Sequence, residues 1–324
     1  MIPKDKQCIL CGGEDISIKE KIKVYDLKYL YKRYFEINIL DFSPEAWVGK
    51  FIPLQKCADC GLEFFPPNLA GTDALYAALA KKMSYYKDEK WEFSVAARRF
   101  ASAQSVLEVG CGDGHFLELL KKTDGHKKLV GLEFNSQAII SARKKGFEIH
   151  SEMVEDFARK SESADSFDAV ASFQVLEHVP RPRAFLESCL KCLKKGGLLV
   201  IAVPNDDGFI KFATNDILNV PPHHLSRWNR SVIEYIAKKY GLKLISFETE
   251  PVAEYHKKGY RMAVLKKYIA RFLGLKLGIV EYPWTIRYIV VKLLSVVCDA
   301  VIPKKFWKYK KFAGHTFCAI FEKL

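Results

Sequence analysis

Between residues 105 and 250 the chain alternates two kinds of apolar pattern. VLEV, KLVGLE, FEIH, FDAVASF, GGLLVIAVPN and LKLISFE are short, nearly continuous apolar runs and read as strands. Between them lie HFLELLKK, SQAIISARKK, PRAFLESCLKCLKK and SVIEYIAKKY, whose apolar residues recur every three or four positions, as on one helix face. Strands apolar on both faces, interleaved with amphipathic helices, predict an α/β fold with a parallel sheet covered on both sides. Upstream, residues 68–104 read as helical, with Leu75 and Leu79 in one run and Trp91, Val95 and Phe100 in the next. Pro66 and Pro67 in FFPPN end whatever precedes them. Downstream, a basic and mostly helical pattern occupies about 251–312 before HTFCAIFEKL supplies one last strand. The chain thus divides into 1–67, 68–104 and 105–324, the last carrying the 251–312 insertion.

A length of 324 residues with 49% hydrophobic content is enough for a full core and excludes disordered or fibrous classes. MIPKDKQCIL has no apolar signal core, and the apolar stretch 288–302 is interrupted by Lys292 and Asp299. That stretch is also shorter than the roughly 20 residues a bilayer core demands. The expectation is a cytoplasmic chain whose nine cysteines are metal ligands or buried thiols rather than disulfides. The net charge of +13 is concentrated late: from residue 251 onward there are 15 Lys and Arg against 4 Asp and Glu. A nucleic-acid partner for the whole chain is therefore not expected. In YRMAVLKKYIARFLGLKLGIV, Met262, Leu265, Ile269 and Phe272 share one helical face, with Lys266, Lys267 and Arg271 mainly elsewhere. The preferred reading is a helical lid or a contact in a homo-oligomer. The other is peripheral attachment to the inner, anionic membrane face, to which the aromatics in KKFWKYKK would contribute.

SVLEVGCGDGHFLELL places glycines at 110, 112 and 114 between a strand and a helix. A dinucleotide loop, G-x-G-x-x-G, would need a glycine at 115, where this chain has histidine. Glu108 at the strand end would repel a diphosphate and attract an ammonium or sulfonium group. Glu133, 21 residues after Gly112, closes the next strand where an acid can accept hydrogen bonds from ribose hydroxyls. A cationic, ribose-bearing ligand suits this pattern better than a nicotinamide dinucleotide.

VLEVGCGDG, GLE, FDAVASFQVLEHV, LKKGGLLVIAVPN and the closing HTFCAIFEK together resemble the class I S-adenosylmethionine-dependent methyltransferases over roughly 91–250 and 315–323. The resemblance implies a Rossmann-like seven-stranded sheet with an antiparallel last strand. It assigns Gly110, Gly112 and Gly114 to the loop around the cofactor's methionine end, and Glu108 to its amino group. Glu133 matches the ribose acid and Gln174 a position lining the methionine end. Met153 stands where the family commonly carries Asp, so Val154 and Glu155 are the adenine candidates. Cys111 and His115 read as loop filler, Asp113 as a turn former, and Glu177 as either a helix-start acid or a supporting one.

CILC and CADC place Cys8, Cys11, Cys57 and Cys60 in two pairs separated by 45 residues. Four thiolates form a closed tetrahedral set for one structural Zn²⁺. The layout resembles methyltransferases of sugars and natural products, in which an N-terminal zinc module helps to form the acceptor pocket. Cys189 and Cys192 lie within a helix pattern and read as core.

Methyl transfer to a hydroxyl or amine also requires loss of a proton, for which a positioned histidine is the usual helper. The candidates are His178 in LEHV and His223 and His224 in VPPHHLSRW, the latter pair lying beyond the fifth strand where parallel sheets bind ligands. Arg227 and Trp228 offer a cation and a stacking face, or Trp228 packs beneath the loop and one histidine caps the following helix. Asn205 touches the acceptor or turns the chain, and Tyr76, Tyr85 and Tyr86 roof the pocket or pack as aromatics. The leading expectation is methylation of a sugar or carrier-bound small molecule in polysaccharide or natural-product biosynthesis. The alternatives are a quinone-type O-methyltransferase at the membrane surface and a non-catalytic scaffold that binds S-adenosylmethionine. Base methylation of RNA is disfavoured, because FQVL stands where an NPPY-like tetrad belongs.

Overall fold

The computed structural model describes residues 7–42, 47, 49–82, 90–123, 128–307, 309 and 313–324. Strand β1 (Ile16–Lys23) leads into helix α1 (Val24–Phe35), and β2 (Phe51–Cys57) returns antiparallel to β1 with the short β3 (Glu63–Phe64) beside it. Helices α2 (Asp73–Ala80) and α3 (Trp91–Arg99) follow, α2 capped by Thr72, whose hydroxyl accepts from the Leu75 N–H. The alternating region forms β4 (Ser105–Val109), α4 (His115–Lys121), β5 (Lys128–Leu132), α5 (Ser136–Lys144), β6 (Glu148–His150) and α6 (Val154–Phe157). It continues through β7 (Phe167–Phe173), α7 (Pro182–Cys192), β8 (Leu193–Pro204), β9 (Ser226–Arg227), α8 (Arg230–Lys239) and β10 (Leu242–Thr249). The chain closes with α9 (Lys257–Phe272), α10 (Ile286–Val301) and β11 (Thr316–Lys323).

Seven strands form one sheet in the order β10-β11-β8-β7-β4-β5-β6, with β11 antiparallel to both neighbours, as expected. Its two faces follow from strand alternation. Leu107, Val109, Leu199, Ile201, Phe317 and Ala319 point to one side, under α7 and α8. Val106, Ala169, Ala171, Val200, Cys318 and Ile320 point to the other, under Phe93 and Val95 of α3, Phe100 just after it and Phe116 of α4. Cys189 and Cys192 are fully buried in the first of these cores.

A second sheet, in the order β1-β2-β3-β9, was not legible in the sequence. Its last strand comes from the stretch after β8, so residues on either side of the main sheet's first strands are stitched together: Glu63 pairs with Arg227 and Phe64 with Ser226. The two parts also share a core, in which Leu10, Leu62 and Phe64 pack with Trp228, Val232 and Ile236. The Arg183 Nε–H donates to the Leu10 carbonyl at 2.9 Å across the same junction.

The insertion keeps the expected helix face only in part, with Leu265 buried. The buried stripe of α9 runs through Tyr260, Ala263 and Val264 against Phe209 and Ile210, whereas Phe272 is 89% exposed. Arg261 lies on the buried side as well, held inward by Asp299 (Nε–Oδ1 2.5 Å) and the Tyr309 hydroxyl (3.1 Å). The segment between α9 and α10 is fastened to the N-terminal part: Ile279 N–H donates to Glu20 (2.6 Å) and Trp284 Nε1–H to the Tyr29 hydroxyl (2.9 Å). Helix α10 turns Ile286, Leu293, Val296, Val297 and Val301 outward. Among the described residues no helix is long and apolar enough to cross a membrane.

Candidate functional site

Strand β4 ends in the glycine loop. Gly110, Gly112 and Gly114 take φ values of 79°, 54° and 81°, a region costly for residues with a Cβ. A Cβ on Gly110 would also stand 2.3 Å from Val175 Cγ2, so this glycine is required by both backbone and neighbour. The Glu133 carboxylate holds the loop: Oε2 accepts from Gly112 N–H at 2.8 Å, and Oε1 from Phe134 and Asn135 N–H at 2.7 and 2.8 Å. Glu108 is 2% exposed, and its Oε2 meets no donor among the described residues. Burial pushes its carboxyl well above the usual carboxylate range; Lys90 opposes this, while Glu133 and Asp113 add to it. A buried acid without a donor, beside two further acids, matches a ligand that brings cationic N–H groups. The loop and its acids therefore fit the methionine end of S-adenosylmethionine.

The remaining predicted cofactor residues occupy different surroundings. Gln174, with φ 57°, leaves β7 and donates from Nε2 to Glu92 (3.2 Å) and Thr316 (3.3 Å). Glu92, 5% exposed on α3, is a site neighbour that sequence reasoning passed over, because the WEF run registered only as apolar spacing. Val154 is buried in the core beside Phe157, and both Glu155 carboxylate oxygens are buried without a donor among the described residues. Cys111 packs with Leu117, Ile139 and Phe147, as filler should, and His115 pairs with Asp113 at 2.9 Å.

Val175, pressed against Gly110, begins a short turn that carries Glu177 and His178. The loop through Pro221 and Pro222 brings His223 and His224 to the same place, tied down by Leu225 N–H donating to the Glu177 carbonyl (2.8 Å). The three imidazoles form one cluster. Ring centroids of His178 lie 4.7 Å from those of both His223 and His224, which stack at 4.6 Å. Each Nδ1 faces a carbonyl oxygen: His178 that of His223 (2.6 Å), His223 that of Leu218 (2.8 Å), and His224 the Asn219 amide oxygen (3.0 Å). Tyr76 of α2 closes the group, its hydroxyl 3.2 Å from His178 Nδ1 and donating to the His223 carbonyl at 3.3 Å. Tyr85 and Tyr86 lie outside the described residues.

Burial dominates the electrostatics here. It lowers His178 to about 4 and His223 to about 3, the latter helped by His178, and drives His224 well below its ordinary value. Burial thus disfavours the charged form of all three rings. Glu177 is 1% exposed, and burial raises its carboxyl to about 8.

Three expectations in the VPPHHLSRW loop are corrected. Arg227 is not available to a ligand: it is buried in an ion pair with Asp206, its Nε–H donating at 2.8 Å. Trp228 is fully buried with Nε1–H on the Ser226 hydroxyl (2.9 Å), so it packs beneath the loop rather than offering a face. Neither histidine caps α8; Asn229 does, accepting from Val232 N–H. Asn205 turns the chain, its Oδ1 accepting from Asp207 N–H at 3.1 Å, while its buried Nδ2 finds no acceptor among the described residues.

The four N-terminal cysteines also converge. Their sulfurs lie within 4.8 Å of one another, with Cys8–Cys60 at 3.5 Å and Cys11–Cys57 at 3.4 Å. A tetrahedral zinc ion with bonds of about 2.3 Å separates its sulfurs by about 3.8 Å, so the set is already near that size. The two turns are alike: Gly12 N–H donates to the Cys8 carbonyl (2.9 Å) and Gly61 N–H to that of Cys57 (3.0 Å).

A family model described as "Methyltransferase domain" matches residues 77–246. The ubiquinone biosynthesis O-methyltransferase of Xanthomonas axonopodis pv. citri (strain 306) is 35% identical over 115 residues, covering 34% of this chain and 47% of that protein. The protein of the same name from Paraburkholderia xenovorans (strain LB400) is 26% identical over 156 residues, covering 47% and 62%. The chain spans about half the length of the first of these curated relatives. Among solved structures, a SAM-dependent methyltransferase from Archaeoglobus fulgidus superposes with TM-score 0.48 at 18% identity, covering 76% of this chain and 99% of that one.

Proposed function

The chain belongs to the class I S-adenosylmethionine-dependent methyltransferases, and from that premise we propose that it methylates a hydroxyl-bearing small molecule, a sugar or carrier-bound compound being the leading class. The observation that carries this reading is the buried imidazole–tyrosine cluster joined to the glycine loop by the single turn from Val175 to His178. Glu108, the three loop glycines, Glu133 and Gln174 would hold the cofactor, which supplies a sulfonium-activated methyl group. The chain's own work is alignment at a reacting distance of about 3–3.5 Å, exclusion of water, and help with the acceptor's proton. His178, His223 and His224 are the residues to which that proton help is assigned, because their rings meet beside the turn that leaves the glycine loop. Cys8, Cys11, Cys57 and Cys60 would hold a structural zinc that fixes the N-terminal sheet, and through β9 that sheet braces the histidine loop.

A second acceptor class is favoured by the relatives' printed function and by the outward apolar face of α10, set in a cationic segment. This is a phenolic, quinone-type acceptor met at an anionic membrane surface. One assay separates the two: release of S-adenosylhomocysteine with nucleotide-sugars and with phenol-bearing isoprenoids as acceptors. Turnover of the sugars alone supports the first reading and of the phenols alone the second. Folded protein that neither binds S-adenosylhomocysteine in calorimetry nor turns over any hydroxyl acceptor overturns both.

A further inference from the structure

We propose that the outward face of α10 docks on an anionic lipid surface, with the helix lying in the plane of the headgroups. The helix is amphipathic in the wrong sense for a chain surrounded by water alone. Its inward side carries Ser295, whose hydroxyl donates to the Val291 carbonyl at 2.7 Å, and Asp299, paired with Arg261 of α9. Its outward side carries Ile286 (82% exposed), Val290, Leu293, Val297 and Val301 (69% exposed), one on each successive turn. At about 100° per residue, Val296 and Leu294 bound an apolar arc of about 160° that holds no polar residue, with Arg287 and Lys292 at its two edges. Trp284 before the helix and Phe306 after it are exposed as well.

Charge decides what covers this face. Between residues 273 and 307 the acids are Glu281 and Asp299 alone. Each is taken by an arginine, Glu281 by Arg287 at 2.8 Å and Asp299 by Arg261 at 2.5 Å. Lys276, Lys292, Lys304 and Lys305 are exposed and make no ion pair among the described residues. A second copy of the chain is a poor cover, because a twofold contact sets a patch against itself and would oppose these cations with cations. A shaped protein partner would be held by polar groups inside the patch, and the apolar arc has none. An anionic leaflet meets both features. Its hydrocarbon boundary takes the arc, its headgroup phosphates take the lysines, and Trp284 and Phe306 fall at the level where aromatic rings gather. Each cation near such a surface strengthens the attraction roughly fivefold. Docking rests on neither acceptor class above; a docked enzyme would meet acceptors anchored in the same leaflet.

The test is flotation of the full chain with vesicles of phosphatidylcholine alone and of phosphatidylcholine and phosphatidylglycerol in equal parts, in about 0.1 M and about 1 M salt. The expected result is binding to the mixed vesicles at least tenfold tighter than to the neutral ones, with the difference lost at the higher salt. Ile286→Ser with Leu293→Ser should weaken that binding at least tenfold. Lys292→Gln with Lys304→Gln and Lys305→Gln should weaken it on the order of a hundredfold. Both variants should bind S-adenosylhomocysteine as the wild type does. Brominated acyl chains should quench the tryptophan fluorescence of the wild type more than that of Trp284→Phe. No binding, equal binding to both kinds of vesicle, binding untouched by either set of substitutions, or equal quenching of Trp284→Phe overturns the proposal. So does a lipid-free dimer that the serine variant splits, which would make this face an interface between copies. Loss of docking with cofactor binding retained leaves the methyltransferase reading standing.

Discussion

Replacing Gly110 with alanine tests the link between the glycine loop and the histidine turn. At φ 79° a side chain costs about 1–2 kcal/mol. The new Cβ would stand 2.3 Å from Val175 Cγ2, in a site where overpacking costs about 1–3 kcal/mol more. The less flexible unfolded chain returns about 0.4–1 kcal/mol, leaving a net loss of about 1–4.6 kcal/mol. Gly241 is the control, because it has φ 62° and open space around its Cβ, so Gly241→Ala should cost only about 1 kcal/mol. Urea unfolding of both variants measures the difference, and calorimetry with S-adenosylhomocysteine shows where it acts. Gly110→Ala should weaken that ligand at least tenfold, about 1.4 kcal/mol, since Val175 must give way within the site. Gly241→Ala should bind as the wild type does. Equal stabilities, or unchanged binding in Gly110→Ala, would refute the argument that Val175 packs the loop in place.

Other outcomes follow from single features. Arg227→Ala or Asp206→Ala strands a buried charge and should cost about 3–5 kcal/mol, with the double variant less harmed than the sum; a double-mutant cycle in urea decides. Asp168 is held at about 2: burial opposes its charge, but Lys194, the Ser105 hydroxyl and the Gln104 and Ser105 N–H groups outweigh it. Its contribution, about 1–2 kcal/mol after allowing for partial exposure, is complete above the unfolded value near 4 and lost as pH falls through 2. Acid unfolding of Asp168→Asn should lack that part of the slope. Cys57→Ser should lower bound zinc by one equivalent and loosen the β2–β3 junction, read by metal analysis and hydrogen exchange. Leu293→Glu with Val297→Glu should abolish salt-sensitive binding to anionic vesicles while leaving the melting temperature nearly unchanged, because both side chains are exposed. Identical vesicle binding by this variant and the wild type would remove α10 from the membrane reading.

The order of elements and the cofactor loop were legible in the sequence because their causes are local. Continuous apolar runs such as VLEV and LLVIAV bury both faces of a strand, and positive φ at Gly110, Gly112 and Gly114 leaves a mark any reader can see. The paired cysteines were legible for the same reason: a C-x-x-C turn is a local object, and only the meeting of the two turns is long-range. What tertiary structure alone decided concerns groups distant in sequence. Ser226–Arg227 became the edge of an N-terminal sheet because a two-residue strand has no periodicity of its own and exists only where a partner offers its hydrogen bonds. Arg227 and Trp228, polar and stacking candidates on paper, were drawn inside by Asp206 and Ser226. Glu177, ambiguous as a letter, became the unpartnered acid beside three imidazoles because two loops 45 residues apart close on each other and shut out water.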